Sequence, residues 1–255
     1  MRTLFKGLVM FFLVLSYIAT SFFIRLTPLR KRKRRALLTK NASFFARQAL
    51  PVLGIDVTVH GREKLPVKGK IRLIVSNHLS SLDILVILSL VPAVFVTSVE
   101  LKNRLLTGMI ARCGESIFVE RRSVASLRKE ISEISRVLKE GCTVVVFPEG
   151  TTSNGERVMP FKNSLLDAAA KTAVKILPLC LRYRKMNSEE ITAQNRDSVF
   201  YHGGVTFVRH ALEVLSLKSI EVEVVALETI PVHSQTSRKQ LAAAAHHAIS
   251  AAYRQ

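Results

Sequence analysis

The sequence predicts an α/β fold, in which a mixed, partly parallel sheet is flanked by helices and follows an N-terminal membrane helix. Three observations support this prediction: an uncharged apolar run near the start, short β-branched runs further along, and amphipathic helical segments between those runs. Strands that alternate with helices favour parallel pairing, with helices on the faces of the sheet. At 255 residues the chain is long enough for one sizeable core.

The first predicted element is a membrane helix over residues 7–24, which carry no charge. A helix of this length rises about 27 Å, close to the ~30 Å hydrocarbon core of a bilayer. A signal peptide is disfavoured because a polybasic block begins at Arg25, where a small-residue cleavage site is expected. The excess of positive charge after the helix predicts a body that faces the cytoplasm at the inner membrane. A monotopic hairpin, with residues 36–53 in the interface, is the alternative.

The chain is strongly basic, with 38 Lys and Arg against 19 Asp and Glu and a net charge of +19. Nine basic side chains and no acidic one lie within residues 25–47, directly after the apolar run. A polybasic block beside a membrane segment is typical of contact with the anionic headgroups of a lipid bilayer. Zinc-finger spacing, aromatic RNA-binding motifs and Trp are all absent, so we expect no nucleic acid partner. Residues 1–54 are therefore predicted to form a membrane anchor with a polybasic interfacial segment.

The later elements are predicted from β-branched runs and from apolar residues at helical spacing. Residues 142–147 are apolar or β-branched and end at Pro148, and Ile131, Ile134 and Leu138 share one face of a helix before them. We predict strands over residues 55–60, 71–75, 93–99, 116–119, 142–147, 174–181, 205–208 and 220–226. We predict helices over residues 82–90, from Ser123 or Ser126 to Glu140, over 164–173 and over 238–253, with an irregular polar segment over 183–203.

Three cysteines, Cys113, Cys142 and Cys180, are far apart in the sequence. An odd number at such spacing matches neither a disulfide framework nor a metal site. We therefore expect buried thiols in a reducing compartment, and we expect no bound metal.

The first candidate for chemistry is a His-x4-Asp pair, His78 and Asp83, directly after the strand predicted over 71–75. On one continuous helix the two side chains would lie about 140° apart and could not meet. They can pair if the turn before the helix carries His78 and the first helical turn carries Asp83. Ser80 or Ser81 would then cap the helix. Asp83 would orient the imidazole and leave its other nitrogen free to accept a proton, unless both side chains only cap the turn.

Two further segments carry polar groups at the ends of predicted strands. Residues 147–153, Phe-Pro-Glu-Gly-Thr-Thr-Ser, form a loop of the kind that binds ligands in open α/β sheets. Gly150 permits close approach of the backbone to a ligand, although an ordinary turn with an exposed acid would have the same composition. Residues 114–122 end in Arg121 and Arg122, which form either a planar anion clamp or a solvated surface pair.

Together these segments resemble the lysophospholipid and glycerophosphate acyltransferase family, whose motif blocks appear in the family order between residues 55 and 230. The similar blocks are Asn-His-x4-Asp at 77–83, Gly-x-x-Ile-Phe-Val-x-Arg at 114–121, Phe-Pro-Glu-Gly-Thr at 147–151, Pro-Phe-Lys at 160–162 and a proline block at 176–178. The resemblance implies an acyltransferase domain over residues 55–255, with His78 and Asp83 as catalytic residues. It also implies a substrate-binding role for Arg121, Glu149, Gly150, Thr151 and Lys162.

The function implied by the resemblance is that of a membrane-bound O-acyltransferase of phospholipid biosynthesis. It would take a fatty acyl group from acyl-CoA or acyl-ACP as co-substrate and need no cofactor. The implied acceptor is a lysophospholipid, most commonly 1-acylglycerol-3-phosphate, whose acylation gives phosphatidic acid. Two expected phosphate-binding cations are absent, because Thr152 replaces an Arg and Ser98 stands near the place of a Lys. Lyso-ornithine lipid or a zwitterionic lysophospholipid is therefore an alternative acceptor.

In the expected mechanism, His78 removes the proton of the acceptor hydroxyl as its oxygen attacks the thioester carbonyl, and Asp83 stabilises the imidazolium. Backbone N–H groups of the Gly150 loop, or Arg121, would hold the oxyanion. The sequence has no Gly-x-Ser-x-Gly nucleophile elbow, so we expect direct transfer without an acyl-enzyme. A thioester hydrolase and a membrane-surface scaffold with a degenerate site are the competing hypotheses.

Overall fold

The computed structural model describes residues 1–66, 72–120, 124–233 and 235–254. The helices in these ranges are α1 (Arg2–Leu26), α2 (Lys31–Leu53), α3 (Leu82–Leu90), α4 (Val99–Lys102), α5 (Leu105–Cys113), α6 (Val124–Lys139), α7 (Asp167–Thr172), α8 (Phe207–Ser216) and α9 (Arg238–Tyr253). The strands are β1 (Ile55–His60), β2 (Leu73–Ser76), β3 (Ala93–Ser98), β4 (Ile117–Val119), β5 (Thr143–Val146), β6 (Ile176–Met186), β7 (Glu189–Glu190) and β8 (Ile220–Ala226).

The strands form a mixed, mostly parallel sheet in the order β1-β8-β6-β2-β5-β3-β4, and β7 pairs with β6 beside this path. The strands β6, β2, β5, β3 and β4 run parallel, whereas β8 is antiparallel to β6, and β1 is parallel to β8. This arrangement confirms the predicted α/β class. Because the central strands are parallel, the loops that follow β2 and β5 lie at the same edge of the sheet.

The sheet separates two apolar layers. The strands β2 and β5 are buried along their whole length, as expected for central strands covered on both faces. Val145 of β5 packs in the layer that contains α2 and α3, while Val144 and Val146 pack in the layer that contains α6, α7 and α9. Ile134 and Leu138 of α6 are buried in that second layer, which confirms the apolar helix face predicted from their spacing.

The two N-terminal helices form an antiparallel hairpin, of which α2 packs into the core and α1 is largely exposed. The buried residues of α2 recur at helical spacing and include Leu38, Ala42, Ala46 and Leu50. Of the described residues, α1 forms the one helix that is long and apolar enough to cross a bilayer. Its exposed large apolar side chains are Leu4, Phe5, Leu8, Phe11, Phe12, Leu15, Phe22, Phe23 and Leu26.

Both ends of α1 are bonded to the rest of the protein. Near the start of the helix, Nζ of Lys6 donates to the carbonyl oxygens of Leu53 and Leu217, each at 2.9 Å. At the other end, the guanidinium of Arg25 forms an ion pair with Glu115 at 2.7 Å. The two ends of this helix therefore contact the same folded body.

Two predictions about the second half of the chain are wrong. The strand predicted over 205–208 is absent, because Thr206 caps α8 by accepting a hydrogen bond from the Arg209 N–H at 3.4 Å. Residues 205–208 are β-branched or aromatic like those of a strand, but the residues that pack inward recur at helical spacing and include His210 and Val214. The irregular segment predicted from residue 183 begins later, because pairing with β8 continues β6 to Met186.

Other predicted elements are present with shifted ends. The helix predicted over 164–173 begins as a 3-10 turn and becomes α7 at Asp167. The helix α6 begins at Val124, so Ser126 lies inside it rather than at its cap. Ser123 and Ile71, which belong to a predicted helix start and a predicted strand, lie outside the described residues. The sequence predicts no element where α5 is found.

Candidate active site

The turn between β2 and α3 brings His78 and Asp83 together. The strand ends at Ser76 and the helix begins at Leu82, so His78 lies on the turn and Asp83 in the first turn of the helix. Nδ1 of His78 and Oδ2 of Asp83 are 2.7 Å apart. The contact predicted from the sequence is therefore present in the structure.

Four donors surround the carboxylate of Asp83, which is 0% exposed. Its Oδ2 accepts from the backbone N–H of Leu79 at 2.7 Å and that of Ser80 at 3.0 Å, besides the contact with His78. Its Oδ1 accepts from the hydroxyl of Tyr183 at 2.6 Å. With both oxygens engaged, the carboxylate is held in one orientation toward the imidazole.

This pairing determines which nitrogen of His78 is free. Because two backbone N–H groups already donate to Oδ2 of Asp83, that oxygen acts as an acceptor and Nδ1 of His78 carries the proton. Nε2 then has a lone pair, and within the described part of the chain no group bonds to it. The His78 side chain is 18% exposed, so the ring is partly open to solvent.

The loop after β5 holds His78 through three contacts. The His78 N–H donates to Oε1 of Glu149 at 3.0 Å, and the His78 carbonyl accepts from the Ser153 N–H at 2.9 Å. The imidazole stacks on the ring of Phe147, with centroids 3.9 Å apart and an interplanar angle of 8°. The loop over residues 147–153 therefore fixes both the backbone and the ring of the histidine.

Glu149 joins this loop to a second segment and is 3% exposed, which excludes the ordinary turn with an exposed acid. Its Oε2 accepts from the Met159 N–H at 3.4 Å. Burial raises the pKa of Glu149 to about 7, although the N–H donors of His78 and Met159 lower it, and the charge of Asp83 adds to the rise. The Glu149 carboxyl therefore changes protonation near neutral pH.

Gly150 leaves room for a lysine at the site. It has φ +78, and a Cβ on it would lie 3.0 Å from Nζ of Lys162. The Lys162 N–H donates to the Pro148 carbonyl at 2.8 Å, which fixes that segment over the loop. Lys162 and Thr151 are both exposed, so an ammonium and a hydroxyl stand beside the loop that holds His78.

Of the other positions singled out in the sequence, the structure describes Thr152 and Ser98. The Thr152 hydroxyl donates to the Tyr201 carbonyl and is tied to the chain. Ser98 ends β3 and stands before the short helix α4. Arg121 and Arg122 lie outside the described residues, so their part in the site stays a prediction. Within those described ranges, no group of three His, Cys, Asp or Glu side chains could hold a metal.

Tyr183, Asn77 and Ser80 support the pair of His78 and Asp83 through contacts that the sequence did not predict. Tyr183 lies on β6, and no local pattern marks it. The Asn77 amide pairs with both backbone groups of Leu181, at 2.9 and 2.8 Å, and so prolongs the contact of β2 with β6. Ser80 Oγ is 3.3 Å from Nε2 of the buried His210. Asn77 and Ser80 belong to the first motif block, so a role near the pair could have been expected for both.

Comparison with known proteins assigns this geometry to a family. Residues 56–182, which include His78, Asp83, Glu149 and Lys162, match the family model described as Acyltransferase. The lyso-ornithine lipid O-acyltransferase of Rhizobium meliloti (strain 1021) is 33% identical over 204 residues, which cover 76% of this chain and 68% of that protein. The chain belongs to the lysophospholipid and glycerophosphate acyltransferase family.

Two other acyltransferases are similar over most of the chain. The 1-acyl-sn-glycerol-3-phosphate acyltransferase of Borreliella burgdorferi is 29% identical over 182 residues, which cover 69% of this chain and 69% of that protein. The crystal structure of the 1-acyl-sn-glycerophosphate (LPA) acyltransferase PlsC from Thermotoga maritima matches with a TM-score of 0.69 and 25% identity, over 99% of this chain and 95% of that chain. The protein is therefore an acyltransferase with a PlsC-like fold, and its long apolar N-terminal helix is part of that fold.

Proposed function

We propose that this acyltransferase moves a fatty acyl group from acyl-CoA or acyl-ACP to the hydroxyl of a lyso-lipid, with lyso-ornithine lipid as the acceptor. The observation that carries the reaction is the contact of His78 with the buried Asp83, which leaves Nε2 free at the carboxyl edge of the sheet. No cofactor or metal takes part in the proposed reaction, and the thioester is the co-substrate.

In the proposed step, the acceptor hydroxyl gives its proton to Nε2 of His78 while its oxygen attacks the thioester carbonyl carbon. The carbonyl oxygen becomes an oxyanion, which then re-forms the carbonyl as the carbon–sulfur bond breaks. The thiolate leaves and takes up the proton that His78 holds. Asp83 stabilises the intermediate imidazolium, and its buried position strengthens that attraction.

The oxyanion requires donors that point at the developing charge. The Gly150 N–H already donates to the Phe147 carbonyl at 3.1 Å. We therefore assign this role to N–H groups further along the loop, beginning at Thr151, or to Arg121. Lys162 and Glu149 complete the proposed substrate site. Lys162 brings a positive charge to it, and Glu149 positions His78 by accepting a hydrogen bond from its backbone N–H.

The charges at the site support this choice of acceptor. A phosphate monoester needs cations, yet position 152 carries a threonine bonded to the Tyr201 carbonyl, and position 98 carries a serine. An ornithine headgroup has one carboxylate, one ammonium and no phosphate, and the ammonium of Lys162 suits that carboxylate. The name of the similar Rhizobium meliloti enzyme, lyso-ornithine lipid O-acyltransferase, supports the same acceptor.

The second candidate acceptor is 1-acylglycerol-3-phosphate, which would give phosphatidic acid in phospholipid biosynthesis. It is favoured by the match to PlsC along nearly the whole chain. In that case Lys162, Arg121 and Arg122 would hold the phosphate in place of the cations absent at positions 98 and 152.

Mass spectrometry of the products tests the acceptor directly. Purified enzyme is offered one acyl thioester, on coenzyme A or on acyl carrier protein, with lyso-ornithine lipid, 1-acylglycerol-3-phosphate or lysophosphatidylcholine. The proposal predicts diacylated ornithine lipid as the preferred product. Phosphatidic acid would identify the second candidate, free fatty acid alone would identify a thioester hydrolase, and no product would contradict both acyl-transfer proposals.

We also propose that the hairpin of α1 and α2 binds one leaflet of the bilayer, at the cytoplasmic face of the inner membrane. The exposed apolar row of α1 supports lipid contact. Monotopic contact is favoured over spanning because Lys6 at one end and Arg25 at the other bind the same folded body. Exposed Leu105 on α5 and Val208 on α8 extend this surface on helices that α1 contacts.

A further inference from the structure

A basic cleft lies between α2 and α6, away from His78. It has a volume of about 490 Å³. It opens beside Gly141, at the amino end of β5, whereas His78 and Glu149 follow the carboxyl ends of β2 and β5. The two sites are therefore at opposite ends of the sheet. The lining residues are three cations, two hydroxyls and one acid: Arg32, Arg136, Lys139, Ser132, Ser135 and Glu140.

The acids near the cleft are already paired. Glu140 contacts Arg35 and forms an ion pair with Arg136 at 2.6 Å. Arg32 and Lys139 have no acidic partner within ion-pair distance among the residues that the structure describes. The cleft therefore gathers positive charge from two helices without a matching anion.

The position of Arg32 adds to this imbalance. Residues 30–35 are six consecutive basic residues, and the first turn of α2 contains no acid. Cations are disfavoured there, because the amino end of a helix carries partial positive charge. Gly141, with φ +92, leaves space for the guanidinium, since a Cβ on it would lie 3.1 Å from Nη2 of Arg32. A bound anion would relieve the repulsion between these groups.

The cations of the cleft match a phosphate group in their chemistry. Guanidinium and ammonium groups donate charge-assisted hydrogen bonds to phosphate oxygens. Ser135 also lines the cleft and is 8% exposed, but its Oγ is closed to solvent, so the cations are the groups that can reach a bound anion.

A chain of ion pairs connects the cleft to the apolar helix α1. Arg25 of α1 pairs with Glu115, and Glu115 also contacts Arg35, whose second partner is Glu140 at the cleft. If α1 lies on a bilayer as proposed above, lipid headgroups lie close to this end of it. An acyl carrier protein fits this place poorly, because it would present its thioester at the end of the sheet opposite His78.

We propose that Arg32, Arg136 and Lys139 bind the phosphate of an anionic phospholipid headgroup, at a site separate from the catalytic one. The bound headgroup would fix how the folded body sits on the membrane. The source of the phosphate rests on the proposed membrane attachment, whereas the site itself does not depend on the proposed reaction.

Vesicle binding by the full chain tests the site, with phosphatidylcholine vesicles that either contain or lack phosphatidylglycerol. The double variant Arg32→Gln with Lys139→Gln should bind phosphatidylglycerol vesicles about 30-fold more weakly, because each basic residue near an anionic surface contributes to the binding free energy.

The matched control is the double variant Arg238→Gln with Lys239→Gln, which loses the same two charges from the exposed start of α9. It should change the affinity less than about twofold, because the contact is local and salt screens distant charges. An equal loss in the control would indicate diffuse attraction and overturn the site.

Three further measurements separate the alternatives. Binding to pure phosphatidylcholine vesicles should be the same in all variants, since it reports the apolar contact of α1. Acyl transfer in detergent should also be unchanged, which distinguishes this site from the reaction at His78. The lipid proposal fails if Arg32→Gln with Lys139→Gln weakens binding of inorganic phosphate or of acyl carrier protein while vesicle binding stays the same.

Discussion

The hydroxyl of Tyr183 donates a 2.6 Å hydrogen bond to Oδ1 of Asp83, the carboxylate oxygen that does not contact His78. Tyr183 is buried on β6 and does not itself face the proposed substrate. It therefore acts as a positioning residue, which holds the carboxylate while Oδ2 holds the imidazole. The catalytic pair thus depends on a residue from a different strand of the sheet.

Tyr183→Phe should lower kcat about tenfold or more, because a hydrogen bond to a charged group contributes about 1.5–3 kcal/mol. The KM for both substrates should stay the same, since Tyr183 touches neither. Steady-state kinetics with thermal unfolding measures both effects. The matched control is Tyr17→Phe, which removes another buried hydroxyl, bonded to the Ile110 carbonyl, far from the pair. A parallel rise in KM, or equal loss of kcat in the control, would argue against a positioning role.

Asp83→Asn should lower kcat about ten-thousandfold, as the same change does in a catalytic triad. The amide oxygen can still accept from Leu79 and Ser80, and the Tyr183 hydroxyl can accept from the amide nitrogen. The geometry is therefore kept and only the charge beside the imidazole is lost. A variant that keeps more than a tenth of the wild-type kcat, while folded, would contradict the role given to Asp83.

The stability of the protein should fall as the pH rises from about 4.5 to about 7, through the contribution of Glu149. Its pKa is near 4.5 when unfolded and about 7 when folded, so the folded state binds more protons in this range. The shift corresponds to about 3 kcal/mol, present at low pH and lost at neutral pH. Urea unfolding of wild type and Glu149→Gln across this range measures it. The variant should gain stability relative to wild type as the pH rises, and a constant difference would contradict the raised pKa.

Lys162→Gln should raise the KM for the lipid acceptor about tenfold with little change in kcat, because the ammonium binds a charged headgroup outside the reacting atoms. Lys171→Gln, an exposed lysine paired with Asp167 on α7, is the matched control and should leave KM unchanged. The comparison is made with each acceptor in turn. If kcat falls and KM does not move, Lys162 stabilises the oxyanion instead of the headgroup.

The sequence was sufficient to predict contacts made within one turn. The pairing of His78 with Asp83 follows from their spacing and from a strand that must stop before a helix, and both conditions are local. The buried strand before Pro148 could be predicted in the same way, because the apolar and β-branched composition of that segment indicates burial. The fold class follows from the alternation of such strands with helices.

Contacts between segments that are distant in the sequence could not be predicted in this way. Tyr183 reaches Asp83 only because β6 pairs beside β2, and no pattern near residue 183 encodes that pairing. The strand predicted over 205–208 is wrong because four β-branched or aromatic residues are too few to outweigh the threonine cap that begins α8. The chain of ion pairs between Arg25 and Glu140 likewise depends on how α1, α2 and α6 meet in space.

The central claim is that Nε2 of His78 takes the proton of the acceptor hydroxyl. Formation of diacylated lipid by His78→Ala, followed by mass spectrometry beside wild type, tests it most directly. The expected result is a loss of turnover of at least about a thousandfold, while the thermal unfolding midpoint and vesicle binding stay close to wild type. Folded His78→Ala that still forms diacylated lipid at a tenth or more of the wild-type rate would contradict it.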